Sequence, residues 1–189
     1  MSRTTFQPSP LADVACRTEG ERWTLVFVRV LPHSPEKVWA ALTDPGQLLA
    51  WAPFTADRDL GRVGESTLTM IDGDVSEDLL ASVTRAERPR LLEYTLGTDL
   101  VRWQLAPIDS GTRLTLEHTV GDPQWVPKVA AGWHICLDVA ERLLAGQPVE
   151  PIRGEDAKNH GWERLHDAYA ETLGIPGTGW PDEPPAHRR

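Results

Sequence analysis

The 189 residues carry 28 Asp+Glu against 19 Lys+Arg, a formal net charge of -9, with 40% hydrophobic and 25% charged residues. That balance describes an ordinary globular chain of one domain, long enough to bury a core without disulfide or metal staples. Its acidity, with a pI near 5.1, disfavours nucleic acid, anionic membranes and acidic substrates as partners. Cys16 and Cys136 allow one bridge at most and read as reduced thiols. No apolar run reaches the roughly 18 residues that span a bilayer, and the opening MSRTTFQPS lacks the apolar stretch of a signal peptide. No membrane partner and a cytoplasmic location are therefore expected.

Residues 1–21 show no clear periodicity and are expected to lie loosely across the domain as an N-terminal extension. The domain itself is expected over residues 22–173. WTLVFVRVL, from Trp23 to Leu31, is β-branched and aromatic and reads as a strand buried over much of both faces. Ser34, Pro35 and Glu36 then give an N-cap, a first-position proline and an acid in the first turn, so HSPEKVWAAL opens a short helix. Asp44 and Pro45 repeat the cap-then-proline order and start a second short helix ending near Trp51.

From Phe54 to Val120 the pattern changes to strands separated by turn residues. STLTMI and LLASVTRAE flank Asp72-Gly73-Asp74, a hairpin signal. LLEYTL and LVRWQLAPI are separated by Gly97-Thr98-Asp99, and TRLTLEHTV follows Asp109-Ser110-Gly111. Strict alternation places Leu114, Leu116, His118 and Val120 on one face and Arg113, Thr115, Glu117 and Thr119 on the other. The result is an antiparallel meander with one apolar and one wet face. Asp122 and Pro123 open a long helix to about Ala145, whose Val126, Ala130, Trp133, Leu137, Ala140 and Leu144 form a stripe built to lie on the sheet; Gly132 would let it approach closely. A further helix is expected from about Glu155 to Leu173, and residues 174–189, rich in Gly and Pro, as a mobile tail.

Strand, two short helices, a meander and one long C-terminal helix is the order of an α+β helix-grip fold, a curved antiparallel sheet wrapped around the long helix with a cavity between them. EKVWAALTDPGQLLAW, residues 36–51, resembles the opening signature of the SRPBCC (START/polyketide cyclase-like) superfamily. GTRLTLEH at 111–118 and GWHICLDVAERLLAG at 132–146 resemble its branch of activator of heat-shock protein 90 ATPase homologues. The resemblance implies binding or transformation of a small apolar or aromatic molecule. The co-chaperones that name the branch carry an additional N-terminal domain, for which the 20-odd residues before the first expected strand leave no room, so chaperone activation is not expected.

Eight tryptophans against three phenylalanines bias the inward faces toward indole rings. Trp51, Trp103 and Trp133, from a helix end, a strand and the long helix, are placed to converge on one space with Tyr94, Leu105, Leu116, His118 and His134, and these are the candidate ligand-binding residues. His118, an imidazole on an apolar face, and the pair His134 and Asp138, four apart on the long helix, are the catalytic candidates; a hydrogen-bonded core histidine and a structural helix pair are their plainer readings. Tyr94 would be a hydroxyl donor. Cys136 reads as a buried apolar thiol, since His134 at two positions' distance diverges from it. No metal or other cofactor is expected: Glu163-x-x-His166 lacks the second copy of a di-iron motif, and DGDVSED at 72–78 lacks the glycine and final acid of a calcium loop. Small-molecule binding leads this reading, followed by cyclase-, dehydratase- or hydrolase-like proton transfer and by a chaperone-associated or other protein-binding module. Oligomeric state is not encoded in any recognisable way.

Overall fold

The computed structural model describes residues 6–181. Eight strands form a single antiparallel sheet: β1 (Asp13–Glu19), β2 (Arg22–Leu31), β3 (Phe54–Ala56), β4 (Gly64–Asp72), β5 (Val75–Glu87), β6 (Leu91–Leu96), β7 (Asp99–Ile108) and β8 (Gly111–Val120). Their order across the sheet is β1-β2-β8-β7-β6-β5-β4-β3. The helices are α1 (Pro35–Thr43), α2 (Pro45–Trp51), α3 (Trp125–Leu144), a 3-10 helix at Gly154–His160 and α4 (Trp162–Leu173). This is the α+β helix-grip order, with the long helix following the sheet.

Local chemistry accounts for most boundaries. Ser34 and Asp44 accept hydrogen bonds from the backbone N–H groups of Lys37 and Gln47, each three residues on, so both short helices start on a side-chain cap followed by proline. β4–β5 and β6–β7 turn on two residues each, with Gly73 (φ 58°) and Gly97 (φ 60°) supplying the left-handed conformation. Gly111 is a stricter case. Its φ is 139°, and a Cβ there would stand 2.1 Å from the Leu31 carbonyl oxygen, so the crossing of β8 beside the end of β2 admits only glycine.

Four expectations are corrected. Residues 13–19 do not lie loosely: β1 pairs with β2 from Asp13↔Val28 to Glu19↔Arg22, and backbone pairing across seven residues compensates for the weak hydrophobic pattern. The helix expected over 155–173 is broken at Gly161 (φ 90°), where the 3-10 turn ends and α4 begins. The tail is not free as far as it is described. Ile175 N–H bonds the Ala170 carbonyl (3.0 Å), and Trp180 meets Trp162 edge to face at 4.8 Å with Lys158 Nζ 5.2 Å above its ring; residues 182–189 lie outside the described residues. Gly132, finally, has open space around the position of a Cβ, so it is not a point of close helix approach.

The core lies between the sheet and α3. This helix is buried beyond its expected stripe: α4 and the 3-10 helix also pack against it, and Ile135, Cys136 and Val139 are buried as well. Burial pushes the Cys136 thiol up to about 12, which makes it an inert core group.

The two glycines should respond in opposite directions. Gly132→Ala is expected to stabilise the protein by up to about 1 kcal/mol, raising the thermal midpoint by about 2–4 °C, through helix propensity alone. Gly111→Ala should cost more than about 2 kcal/mol through collision and a disallowed φ. Trp180→Ala should lower the midpoint by about 2–6 °C, and an unchanged melting curve would show that the ring contributes nothing.

Candidate functional site

Alternation along β6, β7 and β8 turns Leu92 and Tyr94, Asp99, Val101, Trp103 and Leu105, and Leu114, Leu116 and His118 toward α3, and pairing puts Trp103 beside both Leu92 and Leu116. Trp133 projects from α3 against them. Its ring centroid is 5.2 Å from that of Trp103 at an interplanar angle of 89°, 6.3 Å from Trp51 and 6.5 Å from Phe54. Trp51 and Trp103 are themselves 6.3 Å apart, edge to face. The three tryptophans therefore converge as their sequence positions suggest, and each is at most 4% exposed.

The polar atoms within the cluster are paired. Trp51 Nε1 donates to the Ala41 carbonyl (2.8 Å) and Trp103 Nε1 to the Tyr94 hydroxyl (3.0 Å). Complete burial raises the Tyr94 phenol far above its ordinary value. Trp133 Nε1 donates to His118 Nδ1 (2.8 Å), which must therefore carry the lone pair, and His118 Nε2–H donates to Asp99 Oδ2 (2.8 Å). A continuous chain runs from the half-buried Asp99 at the β6–β7 turn through His118 to the indole at the centre of the cluster. Neither ring nitrogen of His118 is left to take a proton from a substrate, which is the geometry of a hydrogen-bonded core histidine.

His134 does not join this cluster. One position from Trp133 on α3, it turns toward Phe27, Tyr169 and the N-terminal segment. Its Nε2 faces the Ser9 carbonyl oxygen (3.1 Å) and Asp138 Oδ2 (3.4 Å), both acceptors, and so bears the proton; Nδ1 accepts from the Tyr169 hydroxyl (2.6 Å), whose oxygen accepts from Ala12 N–H (3.0 Å). Asp138 accepts from Ser9 N–H (2.8 Å) and Ser9 Oγ–H (2.6 Å) and pairs with Arg29 (2.6 Å), which also holds Glu141. Burial pushes the Asp138 carboxyl up, but the His134 hydrogen bond, the Arg29 charge and the Ser9 bonds outweigh it and hold it at about 2. Burial likewise raises the Tyr169 phenol to about 12. Ser9, His134 and Asp138 do not form a nucleophilic triad, because the serine hydroxyl donates directly to the carboxylate and the far imidazole nitrogen faces a phenol. The network ties the N-terminal segment, β2, α3 and α4 together.

Sequence reasoning missed Asp99, Arg29, Ser9, Tyr169 and Phe54 as members of these two centres. Two left a signal: Asp99 shares parity with Val101 and Trp103, and Arg29 shares parity with Leu25 and Phe27, so each is a charged residue on an inward-facing series. Ser9 left none. Glu163 is exposed while His166 is buried, and among the described residues no group of three His, Cys, Asp or Glu could hold a metal ion.

Neither of two clefts on the described surface is lined by Trp51, Tyr94, Trp103 or Trp133. One, of about 210 Å³, lies between residues 9–13 and 28–30. The other, of about 320 Å³, lies beside α1, α2 and the loop after β3.

Comparison with known proteins agrees with the fold. The family described as "Activator of Hsp90 ATPase homolog 1-like protein" matches residues 32–145, more than half of the chain. No curated protein matches. Among solved structures, EF2215 of Enterococcus faecalis, a conserved protein of unknown function, is similar at TM-score 0.64 and 19% identity over 85% of this chain and 90% of that one. CalU16 of Micromonospora echinospora is similar at TM-score 0.61 and 22% identity over 86% and 94%. An AHSA1-like protein of Aeromonas hydrophila matches at TM-score 0.56 and 22% identity over 65% and 92%.

The network on α3 has a pH signature. Because the Asp138 carboxyl is held at about 2, below its ordinary 3.8, its contribution to stability is complete above pH 4 and lost as pH falls toward 2. Asp138→Asn should therefore cost about 2 kcal/mol or more at pH 6 by urea unfolding, and the difference from the parent protein should shrink by about 2 kcal/mol at pH 2.

Proposed function

Since the chain belongs to the family of Activator of Hsp90 ATPase homolog 1-like proteins, within the SRPBCC superfamily, we propose that it is a small-molecule-binding protein whose apolar or aromatic ligand enters between the sheet and α3. The observation that carries this reading is the convergence of Trp51, Trp103 and Trp133, from three separate elements, with Trp103 edge to face against both of the others and hydrogen bonds to the Tyr94 hydroxyl and the His118 ring. Folds of this superfamily commonly bind ligands at that place. Each aromatic pair is worth about 0.5–1.5 kcal/mol beyond its burial, so a flat ligand that displaces one ring restores contacts of the kind it breaks. Leu105 and Leu116 form the aliphatic wall. Binding is preferred to proton-transfer catalysis because both His118 nitrogens are engaged within the protein.

Titration with a panel of aromatic and lipid-like compounds should alter tryptophan emission saturably. Trp103→Ala should weaken binding at least tenfold, and the outer-face change Arg113→Ala should leave it unchanged. Losing a buried Trp costs about 3–5 kcal/mol on its own, so circular dichroism and the melting midpoint are measured alongside. If no compound of the panel gives a saturable change in emission or stability, the interior is a closed core and binding through the outer surface becomes the leading reading.

A further inference from the structure

The cleft of about 320 Å³ is independent of the Trp51–Trp103–Trp133 cluster and has a built floor. Trp39 of α1 is 3% exposed and part of the buried core, yet its indole N–H, unlike those of Trp51, Trp103 and Trp133, meets no acceptor among the described residues, and the residue also lines the cleft. Gly61 lies over it, with the position of a Cβ 3.5 Å from Trp39 Nε1, so the absence of a side chain keeps the indole edge open.

The loop that forms the far wall is fixed in place. The Arg58 guanidinium donates to the carbonyls of Glu65, Asp59, Arg62 and Gly64 at 2.7–2.9 Å. Leu60 N–H bonds the Thr43 carbonyl (3.0 Å), and the Leu60 side chain is fully buried. A wall held this way loses little conformational entropy when a ligand arrives.

Charge selects the ligand class. Arg62 and Arg88 both line the cleft. Arg62 has no ion-pair partner among the described residues. The partner of Arg88 is Glu36 at 3.1 Å, with side chains 69% and 59% exposed, an arrangement that contributes little and can be exchanged. Asp44 and Asp59 on the same rim each spend one carboxylate oxygen on a backbone N–H, of Gln47 and of Gly61, and their charge opposes a polyanion. We propose that this cleft binds a small monocarboxylate with a flat apolar body, its carboxylate accepting the Trp39 N–H and pairing with Arg62 and Arg88 while its ring lies against Gly61 and α1.

The test follows the indole N–H resonances of the full chain by 15N-correlated NMR, the Trp39 signal being assigned through Trp39→Phe. Benzoate and indole-3-carboxylate, added up to about 20 mM as befits a millimolar fragment, should shift the Trp39 resonance saturably. Benzyl alcohol and inorganic phosphate should not, and the Trp103 and Trp133 resonances should stay in place, which separates this cleft from the interior cluster. Changing both Arg62 and Arg88, two exposed residues, to Ala should weaken the effect at least tenfold with an unchanged melting midpoint. No shift of Trp39 with either carboxylate, an equal shift with benzyl alcohol, or undiminished binding in the double variant would each overturn the proposal.

Discussion

Trp133 holds the molecule together. A helix laid on a sheet contacts it through side chains alone and can slide or roll wherever the contact is smooth. Here one indole from the middle of α3 reaches the sheet and fixes the helix in two ways. Its ring meets Trp103, Trp51 and Phe54 from three elements, and its N–H donates to His118 on β8. The directional bond sets register and the rings supply burial, so rotating α3 would break both. His118 in turn is oriented by Asp99, an anchor at the sheet's end. The most ionisable-looking feature of the inward face is thus a positioning device.

The other side of α3 is held by charge and hydrogen bonds. Asp138 and His134 receive Ser9, Arg29 and Tyr169, and every donor there faces an acceptor. Removing one partner would strand a buried charge, which costs far more than the pair contributes net. This arrangement explains how a segment without hydrophobic periodicity becomes part of the domain. Ser9 and Ala12 dock through backbone N–H groups, and the chain then enters β1 as an edge strand.

The aromatic interior and the Trp39 cleft differ in what each presents. On the proposed reading, an interior in which three tryptophans already satisfy one another would exchange ring contacts for ligand contacts, whereas the surface cleft at Trp39 would offer an unpaired donor and a fixed wall without rearrangement. Both lie on the signature at residues 36–51, which contributes Trp51 to the interior and Trp39 to the cleft. That short stretch of two capped helices therefore serves both places, through one tryptophan in the aromatic cluster and one at the border between core and cleft.

The sequence by itself determined what depends on local periodicity and local capping: the two short helices from Ser34 and Asp44, the hairpins at Gly73 and Gly97, the inward parity of Trp103 and His118, and the family signature. These features rest on residues within a few positions of one another, or on the two-residue alternation of a strand. Tertiary structure alone decided the rest. That His118 is capped at both nitrogens depends on Trp133, fifteen residues away, and on Asp99, nineteen residues away. That His134 turns from the aromatic cluster depends on α4 and on Ser9, 125 residues distant. β1 exists because β2 offers it an edge, and Trp180 is held because Trp162 offers it a ring. A residue type states what bonds a side chain is able to make, but burial and partner geometry decide which ones it makes, and those arise only when distant segments are brought together.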